Sequence, residues 1–452
     1  MEVGTSEHPI TRREELREYF QQVAKPPSKQ RIGMECEGVG VFEDSGKAIP
    51  YYGEKGVLAI LTEMVQKFDW QPIWEGEAII ALQRGNSRVT LEPGGQIELS
   101  SSPYDNLHTL AREFRDYWGQ LNSIAKPMGI AFLGIGMQPV SKIEEIGWVP
   151  KGRYKIMSRY LKNKGPLSHY MMKATATVQA AVDFTGEQDA MEKLKLAFGL
   201  SPVVTAMVAN SPFYGSQLNG FITMRYYVWH HTDPDRCGII PEIFSKPNPG
   251  FQDYVDYALR VPMLFIQRNR QWIEMDGIPF GEYLQSGYKG YQATREDWEL
   301  HLSTIFTDAR LKQYIELRSA DHPKPDLALS IPAFWKGIFY DDLAKEAAWE
   351  LIKDWSLEEW VKLSWDVCSQ GLEARIRNYL LLNLVQELVQ ISLEGLKRQR
   401  VLNQSQQDER IYLDPLQDFI SRHKSSPGKV LIELWQGAWN QDIRKLIDYS
   451  RY

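Results

Sequence analysis

The stretch "RIGMECEGVGVF", Arg31–Phe42, has the composition of a strand, yet it carries two carboxylates, Glu35 and Glu37, two residues apart. Side chains alternate along a strand, so both acids fall on one face, where like charges repel. Further acids sit in similar settings. Glu92 and Glu98 flank the turn signal "PGGQ", one on each arm of a predicted hairpin, and Glu316 lies inside "YIELR". Each alone reads as a solvent-facing acid on a half-exposed strand. Glutamate is depleted in strands, however, and here it recurs in several of them. A carboxylate-lined sheet face becomes favourable when hard divalent cations sit among the acids. Mg²⁺ takes oxygen ligands and commonly bridges carboxylates to nucleotide phosphates. Arginines lie nearby: Arg318 on the strand face of Glu316, Arg225 in "TMRYY" and Arg153 in the Gly-flanked "PKGRY". Their planar forks suit carboxylate and phosphate groups, although an Arg318–Glu316 pair would also serve simply to hold a sheet together.

These residues need strands to carry them. "AIIALQRGNSRVTLEPGGQIELSS" (Ala78–Ser101) alternates through two turn signals and predicts consecutive antiparallel strands. "IAFLGIGMQP" (Ile130–Pro139) predicts a buried strand, as do "TATVQAAVDF" (Thr175–Phe184) and "YIELRSAD" (Tyr314–Asp321). Helices are expected over Ile10–Ala24 with Thr11 as N-cap, from Val57 through Val65, over the amphipathic "LHTLAREFRDYWGQLNSIAKPMG" and around Met191–Val208. "PKGRYKIMSRY" (Pro150–Tyr160) reads as a basic loop, and "FITMRYYVWHHTDPDRCG" (Phe221–Gly238) as an extended segment ending in a turn. From about Ile338 the pattern is helical, with a capping box at Ser356 and Glu359. The fold class is α+β: an antiparallel sheet followed by a helical C-terminal part.

Composition removes several function classes. A net charge of -6 gives no basic field for nucleic acid. The three cysteines, Cys36, Cys237 and Cys368, are far apart, which suits neither a disulfide framework nor a zinc site. Cys36 alternates to the face opposite the two acids, toward the core. No apolar run is long enough for a membrane span, and the opening twenty residues lack the apolar core of a signal peptide. A soluble cytoplasmic protein is the expectation. "LGIGMQP" offers Gly134 and Gly136 of a dinucleotide fingerprint, but Pro139 stands where the third glycine belongs. His230-His231 is the one histidine cluster, and a surface or packing role is expected for it.

The chain resembles the glutamate–cysteine ligases (γ-glutamylcysteine synthetases) of the plant and proteobacterial type. The likeness runs from about Ile10 to Tyr340 and is carried by "RIGMECEGVGVF", "LEPGGQIELSSSP", "WVPKGRYKIM", "MMKATATVQAAVDF", "ANSPFYGSQLNGFITMRYYVWHHTDPDRCG" and "TREDWELHLSTIFTDARLKQYIELRSAD". The resemblance implies a glutamine-synthetase-like fold, a curved antiparallel sheet forming a funnel flanked by helices. It divides the chain into a catalytic core over 1–345 and a helical region over 346–452 packed on it. It further implies ATP and Mg²⁺ or Mn²⁺ as cofactors, L-glutamate and L-cysteine as substrates, a γ-glutamyl phosphate intermediate, and a monomer or weak homodimer. By matched position, Glu35, Glu37, Glu92, Glu98 and Glu316 are the implied metal ligands. Thr177 and Gln179 would line the floor, Arg225 would hold the α-carboxylate of glutamate, Arg153 would contact substrate or the phosphoryl group, and Arg318 the nucleotide phosphates. The family pattern has His where this chain has Cys36, and it is more aromatic where this chain reads "VPMLFIQR". Three alternatives stay open: the same ligation with a different amine, a two-metal hydrolase, and a non-catalytic binding protein on the same fold.

Overall fold

The computed structural model describes residues 8–452. The first seven, part of the stretch read above for a signal peptide, lie outside the described residues. The frame is a nine-stranded sheet in which every neighbouring pair runs antiparallel. Its strands are β1 (Ile32–Phe42), β2 (Gln71–Glu75), β3 (Ala78–Arg84), β4 (Ser87–Leu91), β5 (Ile97–Ser100), β6 (Ile130–Leu133), β7 (Val178–Val182), β8 (Ala309–Leu311) and β9 (Ile315–Leu317). The order is β8-β9-β7-β1-β5-β4-β3-β2, with β6 paired to the far half of β1. The long β1 is therefore central. It holds β7 and β5 on either side of its first half, and Glu37 lies directly opposite Glu98.

Glycine fixes the β4–β5 turn. A Cβ on Gly94 would stand 2.1 Å from the Lys173 carbonyl oxygen, and Gly95 has φ +93°. The turn thus packs against the segment leading into β7. The other motif glycines have a packing reason too. A Cβ on Gly136 would meet the Asp321 carboxylate at 2.7 Å, so "LGIGMQP" is a close-approach loop rather than a cofactor cradle. Its strand ends at Leu133, shorter than predicted.

The apolar face of the sheet is covered by helices. One core cluster draws on residues from Leu16 to Ile420. A second joins Val39, Val41 and Leu133 to Trp435, Leu446 and Ile447 of the last helices. The 345/346 division falls within the helix Asp342–Ile352. Ser356 and Glu359 form the predicted capping box, and a buried ion pair joins Lys336 to Glu409.

Several expectations are corrected. Helix α1 (Glu14–Gln22) starts later than predicted, and Thr11 does not cap it; its hydroxyl instead donates to the Glu15 carboxylate. The "basic loop" is α2 (Gly152–Lys162). The "extended" segment contains α3 (Met224–His230), capped by Thr223, whose hydroxyl accepts from the Tyr226 amide. β7 and β9 are shorter than drawn, which leaves Thr177 just before β7 and Arg318 just after β9. Two-residue strands at Arg375–Ile376 and Tyr379–Leu380 interrupt the helical end. His230 stacks on Trp365 with ring centroids 4.5 Å apart, the expected packing role.

Candidate active site

The acid-bearing sheet face, together with α2 and α3, bounds a cavity of about 830 Å³. Of the residues singled out from the sequence, Glu35, Glu37, Glu92, Glu98, Arg153, Thr177, Gln179, Arg225 and Arg318 all line it. Alternation of β1 aims Glu35 and Glu37 inward and sends Cys36 the other way. The Cys36 Sγ lies 3.3 Å from both His322 Nε2 and the Tyr452 hydroxyl. Burial pushes its thiol well up, so it is no nucleophile.

The acids are crowded and only partly satisfied. Glu98 accepts from the hydroxyls of Thr90 and Ser100, and Glu37 accepts from the Thr177 amide at 3.1 Å. Burial, then the charges of Glu98 and Glu316, push the Glu35 carboxyl up to about 8. Burial, then Glu92 and Glu98, raise Glu37 well above the usual carboxylate range. Burial, then Glu92, raise Glu98 as well. Such a cluster is strained until positive charge enters it. Among the described residues no three His, Cys, Asp or Glu are already gathered at metal-binding distance. The donor type fits a hard cation, and the acids are spread along the floor instead of drawn together.

Glu316 stands apart from the other acids. It is buried behind the cavity wall, and its carboxylate pairs with Arg310, Lys312 and Arg318. Burial alone would raise it, but those three cations outweigh burial and hold it far below the usual range. In this arrangement Arg310 and Lys312 occupy the oxygens of Glu316.

The three predicted arginines share one feature. Each has a buried Nε with no hydrogen-bond partner among the described residues. Both terminal nitrogens of Arg225 are held: Nη1 donates to Ser319 O at 3.2 Å and stands 4.0 Å from Asp321 Oδ1, and Nη2 donates to Arg318 O at 3.0 Å. Arg318 donates to Gln179 Oε1 at 3.0 Å. Arg153 sits in the first turn of α2 with its guanidinium 5.2 Å from the Tyr154 ring. Unmade donors in a buried site are costly, and an anionic ligand would satisfy them.

Sequence reasoning missed four residues. Asp321 accepts from Asn210 N, Ser211 Oγ and Thr223 Oγ1, and so fixes the start of α3 that carries Arg225. Lys151, behind Tyr154, donates to Leu91 O, and burial, then Arg153, push it down to about 7. Arg310 and Lys312 line the cavity beside Glu35. Only Arg310 and Lys312 left a signal, two cations alternating with apolar residues just before "YIELR".

An antiparallel funnel lined with crowded carboxylates, and with arginines that each keep an unmade Nε, has the chemistry that suits anionic groups and phosphate. The comparisons give the family. The model of glutamate–cysteine ligase family 2 matches residues 31–448, and the chain belongs to that family. It is 36% identical over 447 residues to the chloroplastic glutamate–cysteine ligase of Medicago truncatula, covering 98% of this chain and 86% of that protein. It is also 36% identical over 454 residues to the chloroplastic glutamate–cysteine ligase of Arabidopsis thaliana, covering 100% and 85%. The crystal structure of a Francisella tularensis glutamate–cysteine ligase in complex with AMP shares the fold. Its TM-score is 0.55 at 13% identity, covering 93% of this chain and 87% of that one. The cytoplasmic expectation is overturned by these relatives, which are themselves chloroplastic. Composition could not decide the matter, because a compartment is set by an address rather than by the catalytic fold. Among the described residues no helix is long and apolar enough to cross a membrane.

Proposed function

We propose that this protein joins the γ-carboxylate of L-glutamate to the amine of L-cysteine with ATP as driving reagent, giving γ-glutamylcysteine, the first step of glutathione biosynthesis. The observation that supports this most is the pairing of repelling carboxylates and arginines with unmade Nε donors on one cavity floor.

A carboxylate is a poor electrophile, so its oxygen first attacks the γ-phosphorus of ATP and ADP departs. The amine then attacks the acyl carbon, phosphate leaves, and the ammonium proton passes to solvent. Little covalent work falls to the protein; positioning and charge carry the catalysis. Arg225 holds the α-carboxylate of glutamate, with Thr177 and Gln179 forming the floor beneath it. Arg153 faces the transferred phosphoryl group and Arg318 the nucleotide phosphates. Glu35, Glu37, Glu92 and Glu98 would hold Mg²⁺ or Mn²⁺, joined by Glu316 once Lys312 has swung aside. When bound, the ions place positive charge against phosphate oxygens. Lining residues run from Gln22 to Arg318, which supports 1–345 as the catalytic core and 346–452 as a packed helical region. Because one chain supplies that lining, a monomer or weak homodimer suffices.

The test is phosphate release from ATP with glutamate alone, then with cysteine or other amines. Release that depends on both glutamate and cysteine is expected; release that favours another amine would reassign the acceptor. Arg225→Lys is expected to raise the apparent KM for glutamate about tenfold to a hundredfold, the worth of one charged hydrogen bond. The KM for ATP should change far less. A kinetic titration of each substrate checks this, and an unchanged glutamate KM would move the α-carboxylate contact elsewhere.

A further inference from the structure

Of the three cations paired with Glu316, the two nearest, Arg310 and Lys312, are tethered very differently. Arg310 is locked: its Nε donates to Glu316 Oε2 at 2.7 Å, and its Nη1 donates to Ser303 O at 2.7 Å and to Ile305 O at 2.9 Å. Lys312 pairs with the other oxygen, Oε1, and its ammonium lies 5.0 Å from the Tyr314 ring centroid. Its side chain is 19% exposed, against 7% for Arg310 and 1% for Glu316. Lys312 lines the cavity and Glu316 does not, so the lysine is the lid over that oxygen. A lysine carries its charge on a flexible four-carbon stem, whereas the arginine fork is fixed by its several bonds.

We propose that Lys312 is an exchangeable counter-ion: it occupies Glu316 Oε1 while the site is empty, and passes to the nucleotide phosphates when a divalent cation takes that oxygen. This rests on the ligase reading above and adds a residue that couples the metal to the nucleotide. The metal cannot reach Oε1 until the ammonium leaves, and the ammonium leaves at little cost only when another anion receives it. Glu35 is the near alternative, since its charge and that of Lys312 already interact. A carboxylate that is itself to hold metal cannot serve as the receiver, which leaves the phosphates.

Two binding constants test this without turnover. Mn²⁺ is titrated in the absence of nucleotide and followed by the electron paramagnetic resonance of the free ion. The β,γ-methylene analogue of ATP, which cannot transfer its terminal phosphoryl group, is titrated by calorimetry at saturating Mg²⁺. Lys312→Met is expected to move the two in opposite directions. Mn²⁺ should bind about tenfold more tightly, because its competitor is gone. The analogue should bind about tenfold more weakly or worse, because a charged hydrogen bond is lost. Lys312→Arg, which keeps the charge, should hold the analogue within a few-fold of wild type, and its circular dichroism controls for folding. A Lys312→Met protein in which both constants fall together, or in which either stays unchanged, overturns the exchange. A wild-type protein that binds no nucleotide would overturn the ligase reading itself.

Discussion

Glu35→Gln is expected to lower turnover by about 10³-fold while leaving the metal-free protein folded and, near pH 8, more stable than wild type. Loss of one preorganised charge at a developing phosphoryl centre has an effect of that order. The stability gain follows from crowding. In the unfolded chain a glutamate carboxyl titrates near about 4.3. In the fold, burial and then Glu98 and Glu316 lift it to about 8. The native state therefore binds this proton more tightly than the unfolded state does. Its stabilising contribution is fully present below about pH 4.3 and is lost as pH rises toward 8. Metal-free wild type should weaken between pH 5.5 and pH 8, and Glu35→Gln should flatten that slope by at least about 1 kcal/mol. Part of the slope should persist, because Glu37 and Glu98 are raised in the same direction. Denaturant titrations in chelator at the two pH values check the sign. A variant with near-normal turnover at ordinary magnesium would remove Glu35 from the site.

That the acids were legible in the sequence has a physical reason. A strand has period two, so "MECEG" alone puts both carboxylates on one face, and the "PGGQ" turn alone brings Glu92 and Glu98 to one hairpin. Register within that hairpin is local, whereas the pairing of β5 with β1 that sets Glu98 opposite Glu37 is long-range. The arginines were legible as types but not as placements. "MRYYVWH" is rich in β-formers and reads as extended, yet it is a helix. Its start is fixed by Thr223 bonding to Asp321, 98 residues away, an interaction no local window contains. The same holds for "GRYKIMSRYLK", whose helix begins without a side-chain cap and so carries no start signal. β8 spans only Ala309–Leu311, too short to show periodicity, and with it the roles of Arg310 and Lys312 stayed hidden. The resemblance named Glu316 as a ligand, but no sequence pattern shows that a lysine four residues earlier already covers it.

A sulfoximine analogue of the substrate is expected to inhibit slowly, tightly and only with ATP and magnesium present. Its nitrogen would take the γ-phosphoryl group in the place of the carboxylate oxygen, its S-alkyl group would occupy the place of the attacking amine, and its tetrahedral sulfur would imitate the adduct that follows the acyl phosphate. Ligands of that kind bind about 10²- to 10⁸-fold more tightly than substrate. The cavity has the parts that such a complex needs. Arg153, Arg225 and Arg318 supply unmade donors for the added phosphoryl oxygens and the α-carboxylate. The raised acids on the floor supply a place for the accompanying cations. ADP should remain in the inhibited protein, recoverable in a one-to-one ratio after denaturation, because the phosphorylated analogue closes the site over it. A two-metal hydrolase on the same fold would be indifferent to nucleotide. Inhibition that is rapid and equally strong without ATP would sink the acyl-phosphate mechanism and return the acids of this funnel to hydrolytic chemistry.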